Sequence, residues 1–359
     1  MFALVSDAFG GRGGIAQYNR DFFGALAGSG VVCSIFVLPR HAPDQVVTPA
    51  RIRQRRALGG RLAYAAAAVR EALIQPIDVV FCGHLFMAPL GWLIARFKRT
   101  KLIVQLHGIE AWQRPSSLCR MAVEAADLVL CVSRHTRTQM LSWAAMPPER
   151  VLVLPDMVGA HFTPGDGSAL RSAWGLQGKR VLLTVGRMSA HERYKGHDRV
   201  IRAIPRLAAA GHDVAYVIVG EGDDCERLQA LADREGVADR VRFRGALDTA
   251  TLVEAYRMAD LFVMPSTGEG FGIAFLEAMS CGTPALGLAV GGAVDALDDG
   301  PLGTSVTEGE FGSALEQALH RCKPGGAAAA AAVRQRFGGE RFQEGVVVAL
   351  SRLQEVADR

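Results

Sequence analysis

The chain has 359 residues and no C-x-x-C pair; its seven cysteines, an odd number, stand singly. That spacing argues against a zinc ribbon or a disulfide framework, makes reduced thiols in a cytosolic protein the expectation, and leaves no metal site legible. Also missing is any uninterrupted run of the ~18 to 20 apolar residues that a spanning helix needs, because Arg, Lys, Asp or Glu breaks each one. The opening MFALVSDAFGG carries no basic leader and no cleavage site, so it reads as a first strand rather than a signal. An excess of one charge is absent as well: the net charge is +4, which argues against a dedicated nucleic-acid binder.

Half of the residues are apolar, and the length is too great for one compact core, so two domains are expected. Short apolar runs alternate with helical patterns throughout, as in parallel α/β architecture. The first domain is expected over 1–158 and the second over 168–340, joined by the Pro- and Gly-bearing stretch Gly159 to Gly167. The tract from Pro324 to Val333, with six consecutive alanines, reads as a surface helix.

After the first strand, Gly10 to Gly14 opens a helix from Ile15 to about Ala27, and its glycines let backbone approach a ligand closely. Gly11, Gly13 and Ala16 satisfy a G-x-G-x-x-A dinucleotide fingerprint, but Pro39 and Arg40 stand where the ribose-binding acid should follow. A dehydrogenase is therefore disfavoured. Arg51, Arg53, Arg55, Arg56 and Arg61 precede an alanine-rich amphipathic helix, a combination that suits either an anionic lipid surface or an ordinary solvated helix edge. His107 and His84 follow strands, where a lone histidine is more often structural than catalytic. Ser133 opens a helix with a hydroxyl able to cap it or to meet an acceptor.

The most informative stretch is MPSTGEGFGIAFLEAMSCGTPA, Met264 to Ala285. A buried strand runs into a glycine-punctuated turn with Glu269, and a helix follows with Glu277 about two turns inside it. Eight residues at ~1.5 Å of rise set the two carboxylates roughly 10 Å apart, one within reach of a sugar and the other of a ribose. Between them the amides of Phe271, Gly272 and Ile273 open the helix with partial positive charge, which suits a diphosphate. The alternative on these residues alone is a capped helix with solvated acids.

EGFGIAFLE followed by AMSCGTPAL resembles the signature of the retaining GT-B glycosyltransferases of family 4: Glu, seven residues, Glu. The resemblance extends over essentially the whole chain. It implies two doubly wound, Rossmann-like domains facing across a cleft, with acceptor sites in the first and donor sites in the second. A terminal helix over 341–359 would pack back on the first domain. Family positions map onto Gly13 and Gly14 near the donor phosphates and onto His107, in VQLHGIE, directed at the transferred sugar. Gly-Arg before Lys-Gly maps Arg187 and Lys195 onto the leaving diphosphate, with Arg193 in reserve because SAHERY makes the intervening loop long. Gly220 maps near the nucleotide base, Glu269 onto sugar hydroxyls and Glu277 onto the ribose. Pro155-Asp156-Met157 replaces the usual Pro-Asn-Gly, so no donor contact is taken from it.

No D-x-D triplet, the diphosphate-metal signature of the other major glycosyltransferase fold, occurs in the chain, so transfer without a metal or other cofactor is expected. The resulting reading is a retaining hexosyltransferase of polysaccharide biosynthesis. It would move a sugar, mannose from GDP-mannose as the first choice, to a lipid-linked or saccharide acceptor. It would be cytoplasmic and peripheral on the inner face of the plasma membrane. A UDP-sugar-dependent enzyme with a soluble acceptor, and a non-catalytic sugar-nucleotide-binding component of an assembly complex, are the alternatives.

Overall fold

The strands of this protein are almost continuously apolar, and the computed structural model explains why: both faces of each sheet are covered. LVLC at Leu128–Cys131 and VAYVIV at Val214–Val219 are buried at every position, as parallel strands under crossover helices must be. The structure describes residues 1–43, 46–298, 303–320 and 326–355. The chain divides into two compact units, Met1–Met157 with Gly339–Arg359, and Val158–Gly338.

In the first unit the strands are β1 (Phe2–Val5), β2 (Ile35–Pro39), β3 (Ile52–Gln54), β4 (Val79–Cys82), β5 (Lys101–Leu106), β6 (Leu128–Cys131) and β7 (Val151–Val153). They form one parallel sheet in the order β3-β2-β1-β4-β5-β6-β7. The second unit holds β8 (Arg180–Val185), β9 (Val214–Val219), β10 (Val241–Phe243), β11 (Leu261–Met264), β12 (Ala285–Leu288) and β13 (Gly303–Val306). Their order is β10-β9-β8-β11-β12-β13, again parallel. In each sheet the winding reverses beside the first strand, between β1 and β4 and between β8 and β11. Loops that leave the carboxyl ends of two such strands diverge and open a crevice, the position where ligands bind in open α/β sheets.

Two local expectations need correction. The arginine-rich stretch before the alanine-rich helix is not wholly a helix edge: Ile52–Gln54 is an edge strand paired with β2, and the exposed Arg55 donates to the buried Glu71 Oε1 at 2.8 Å while its guanidinium lies 5.6 Å from the Phe36 ring centre. Alternation is too short over three residues to be read from sequence. The alanine tract is not a bare surface helix either. Helix Ala327–Phe337 buries Ala330, Val333 and Phe337, one stripe at helical spacing. The Phe337 ring packs 5.7 Å from that of Phe271, and Arg334 donates to the Ser280 carbonyl at 3.0 Å. The small alanines bring this helix close to Ile273–Ser280, the helix of the signature segment. Pro324 lies outside the described residues.

The last helix, Gly339–Glu355, belongs to the first unit, where the Phe342 ring meets Tyr18 edge-on at 5.8 Å. Residues 356–359 of the expected terminal helix are likewise outside the described residues. No described helix is long and apolar enough to cross a membrane.

Candidate active site

In the second unit the crevice between β8 and β11 gathers the charged residues singled out above. β8 runs into Gly186-Arg187, and a 3-10 turn over Ala190–Lys195 follows before the helix His197–Ala209. β11 runs into Pro265 and the Glu269 turn. The two loops are stitched together by backbone: the Thr267 amide donates to the Tyr194 carbonyl at 2.8 Å. The longer SAHERY insertion is therefore an ordered turn held against the signature segment.

Lys195 Nζ donates to Glu269 Oε1 at 2.9 Å, and both side chains are largely shielded, at 15% and 13% exposure. Burial works to lower the lysine's pKa, but the Glu269 charge and hydrogen bond outweigh it and leave the ammonium above its ordinary value. Arg193, the reserve cation, instead binds Asp224 at 2.9 Å, on which Arg227 also sits. Lys195 is thus the cation on the Glu269 turn. Arg187 pairs with Glu192, and its side chain is 73% exposed, so this guanidinium is open to a ligand.

The helix Ile273–Ser280 starts behind Gly272, which has φ +97. Among the described residues the amides of Phe271, Gly272 and Ile273 have no acceptor, as expected of a first helical turn. Phe271 itself is buried, so it can offer its backbone but not its ring. One turn after the sheet's next strand, the Gly292 amide donates to the Glu269 carbonyl at 2.8 Å and fixes the turn from its other side.

Glu277 accepts a 2.6 Å hydrogen bond from the Tyr256 hydroxyl, and burial pushes its carboxyl up to about 7 despite that bond. Sequence reading missed Tyr256 and Glu192. Tyr256 lies on the separate helix Thr249–Met258, and no spacing rule connects it to Glu277. Glu192 stands five residues after Arg187 inside the loop already under suspicion, and its charge was the available signal.

Gly220 has a structural duty of its own. Its φ is +138, and a Cβ there would lie 2.0 Å from the Gly186 carbonyl oxygen, so the loops after β8 and β9 can stack only on glycine. Its amide also donates to the Gly245 carbonyl at 2.8 Å.

The remaining candidates belong to the first unit. Gly13, with φ +92, precedes the helix Gly14–Ser29, and a Cβ at either Gly13 or Gly14 would meet nothing within 4 Å, so the loop's backbone is open on that side. His107 follows β5. Its Nε2 lies 2.9 Å from the Gly83 carbonyl, and since a carbonyl only accepts, Nε2 carries the proton and Nδ1 is left as the acceptor. Burial lowers the ring's pKa to about 4, so it is neutral at physiological pH, and the Tyr18 ring meets it edge-on at 5.2 Å. Glu110, unassigned in the sequence reading, accepts from the His107 amide at 2.6 Å. His84 caps the turn Leu85–Met87, accepting from the Phe86 amide at 3.3 Å, and Ser133 caps helix Arg134–Trp143 through the Thr136 amide at 3.1 Å.

Residues 168–323 match the family described as Glycosyl transferases group 1, and residues 12–162 match Glycosyltransferase Family 4. A D-inositol 3-phosphate glycosyltransferase of Mycolicibacterium vanbaalenii is 30% identical over 346 residues, covering 84% of this chain and 76% of the relative. A GDP-mannose-dependent alpha-(1-6)-phosphatidylinositol monomannoside mannosyltransferase of Mycolicibacterium smegmatis is 35% identical over 245 residues, 64% of this chain and 63% of that one. Among solved structures, Anabaena Alr3699/HepE in complex with UDP-glucose superposes with a TM-score of 0.78 at 22% identity, covering 98% of this chain and 99% of the other. The lipopolysaccharide glycosyltransferase WaaG superposes with a TM-score of 0.72 at 20% identity, over 97% and 99%. These likenesses agree with the parallel-sheet pair and the signature turn, and the chain belongs to the group 1, family 4 glycosyltransferases, enzymes of the GT-B fold.

Proposed function

We propose that the enzyme transfers a hexose, with retention at the anomeric carbon, from a nucleotide diphosphate sugar to a lipid-linked acceptor. GDP-mannose is the first donor to test. The observation that carries the donor half is the shielded Lys195–Glu269 pair beside the open amides of Phe271 to Ile273. The difficult step is rupture of the bond between the anomeric carbon and the diphosphate oxygen, which collects negative charge on the leaving group. Fixed positive groups answer that need: Lys195, Arg187 and the three amides, each worth about 3 to 4 kcal/mol where well aligned.

In this reading Glu269 holds sugar hydroxyls and orients Lys195, and Glu277 receives the ribose. The family resemblance, rather than any placement of one unit against the other, assigns Gly13 and Gly14 to the diphosphate and His107, neutral and with Nδ1 available, to the transferred sugar. The acceptor oxygen attacks the face that the diphosphate leaves, and its proton passes to the departing phosphate oxygen. No metal takes part in the proposed step, because lysine, arginine and amides supply the positive charge.

Donor identity rests on the mannosyltransferase relative, which is GDP-mannose-dependent. UDP-glucose is bound by one structural neighbour, at an identity that speaks only for the fold, and it is the second donor to test. The lipid reading rests on the first unit. Helices Arg61–Ile74, Ala88–Lys98 and Ser117–Glu124 pack in sequence and leave Leu62, Leu73, Phe97 and Leu118 more than half exposed, and Arg53, Arg56 and Arg61 of the same unit are exposed too. A unit that exposes both large apolar and basic side chains suits the boundary of an anionic bilayer. The decisive experiment is a nucleotide-sugar panel read by nucleotide release, with and without polyprenyl-linked and phosphatidylinositol acceptors. Acceptor-dependent release of GDP from GDP-mannose is expected. Release confined to UDP-sugars with a soluble acceptor would overturn the donor and acceptor assignments.

A further inference from the structure

Far from the signature turn, the second unit brings together His212, Glu316 and His320, each offering one ligand atom, with all three atoms within 4.8 Å of one another. Glu316 and His320 lie four residues apart on helix Phe311–His320, hence on one face of it. His212 lies in the turn between helix His197–Ala209 and β9. The two imidazole rings stand 4.7 Å apart, centre to centre, at 66°. His212 Nε2 is buried and has no hydrogen-bond partner among the described residues. A buried ring nitrogen without a partner is an unfavourable arrangement that a coordinated cation would relieve.

We infer that these three side chains form a binding site for a divalent first-row transition ion of the Zn2+ class, closing the turn before β9 onto the end of the helix. The donor set decides the class of ion. Two imidazoles and one carboxylate suit zinc and its neighbours, whereas Mg2+ and Ca2+ require oxygen. In a tetrahedral zinc site the ligand atoms stand about 3.4 Å apart, given metal–ligand bonds of about 2.1 Å. Drawing in the exposed His320 by side-chain rotation closes that difference. Glu316 also accepts from Arg206 at 3.3 Å, but the Arg206 side chain is 68% exposed and can swing into water when a cation arrives.

The position separates this site from catalysis. His212 precedes β9, at the amino end of the strands, while Arg187, Lys195 and Glu269 follow the carboxyl ends of β8 and β11. The helix linking Lys195 to the His212 turn is 13 residues long, roughly 20 Å. The ion is therefore structural, a clip between two chain segments more than 100 residues apart in sequence.

The test uses full-length, tag-free protein stripped with EDTA and titrated with zinc sulfate in a calorimeter, with melting followed in parallel. One zinc per chain and a rise in melting temperature of several degrees are expected. His320→Ala, at an exposed helix end, and His212→Asn should each weaken that binding by more than the roughly 10- to 100-fold that loss of a supporting residue costs. The zinc-induced rise should vanish in both. Mg2+ should give no rise, and His320→Ala should keep the parent's glycosyl-transfer rate. Absence of zinc binding, equal affinity in parent and both variants, or an equal effect of Mg2+ would each overturn the assignment.

Discussion

Glu277 offers a quantitative test of how its pocket is built. Burial raises this carboxyl from 4.5 to about 7, and among the described residues the partner acting against burial is Tyr256, through its 2.6 Å bond. At about 1.4 kcal/mol per tenfold change in proton affinity, that difference penalises the ionised form by about 3 kcal/mol. The sign follows from linkage. Between pH 4.5 and 7 the folded protein holds a proton that the unfolded chain has lost, so stability falls as pH rises through that window and levels off above about 7. Glu277→Gln keeps the shape and removes the titration. Melting temperatures of parent and variant, measured from pH 5 to pH 8, should diverge in the variant's favour as pH rises. About 3 kcal/mol corresponds to roughly 6 to 12 °C for a unit of this size. Comparison with the variant cancels every other titrating group. Parallel curves, or a gap that closes as pH rises, would refute the buried-carboxyl account.

Other outcomes follow from the same geometry. Phe337→Ala removes the ring packed on Phe271 and should cost about 3 kcal/mol of stability. It should also raise the donor KM, because the amides of the signature helix lose their backing; steady-state kinetics alongside melting would show an unchanged KM if the buttress is irrelevant. Reversing Arg53, Arg56 and Arg61 to Glu should abolish sedimentation with anionic vesicles at low salt while leaving nucleotide binding intact. Retained sedimentation would remove the lipid reading.

Much of the fold was legible because buried parallel strands announce themselves as apolar runs between glycine loops, and VAYVIV or LVLC permits few other readings. The signature helix was legible for a different reason: its glycines, acids and Gly-Thr-Pro continuation occupy one short stretch. Contacts between separate elements were not. Tyr256 reaches Glu277 from another helix, and Ala327–Phe337 looked inert until its buried stripe met Phe271. The metal cluster joins residues more than 100 positions apart, of which only Glu316 and His320 share a spacing. Arg55 shows the converse, since composition grouped it with the other arginines of its segment, whereas in the structure it pairs with the buried Glu71 beside the Phe36 ring.

The central claim is that positive charge fixed by the protein, Lys195 foremost, lets the nucleotide leave its sugar. The most direct measurement is the turnover of Lys195→Ala against the parent, at saturating donor and acceptor and in the presence of EDTA, with circular dichroism confirming the fold. A fall in kcat of ~100-fold or more is predicted, with donor Kd changed far less. An unchanged kcat, or a parent enzyme inactive until Mg2+ or Mn2+ is restored, would contradict it.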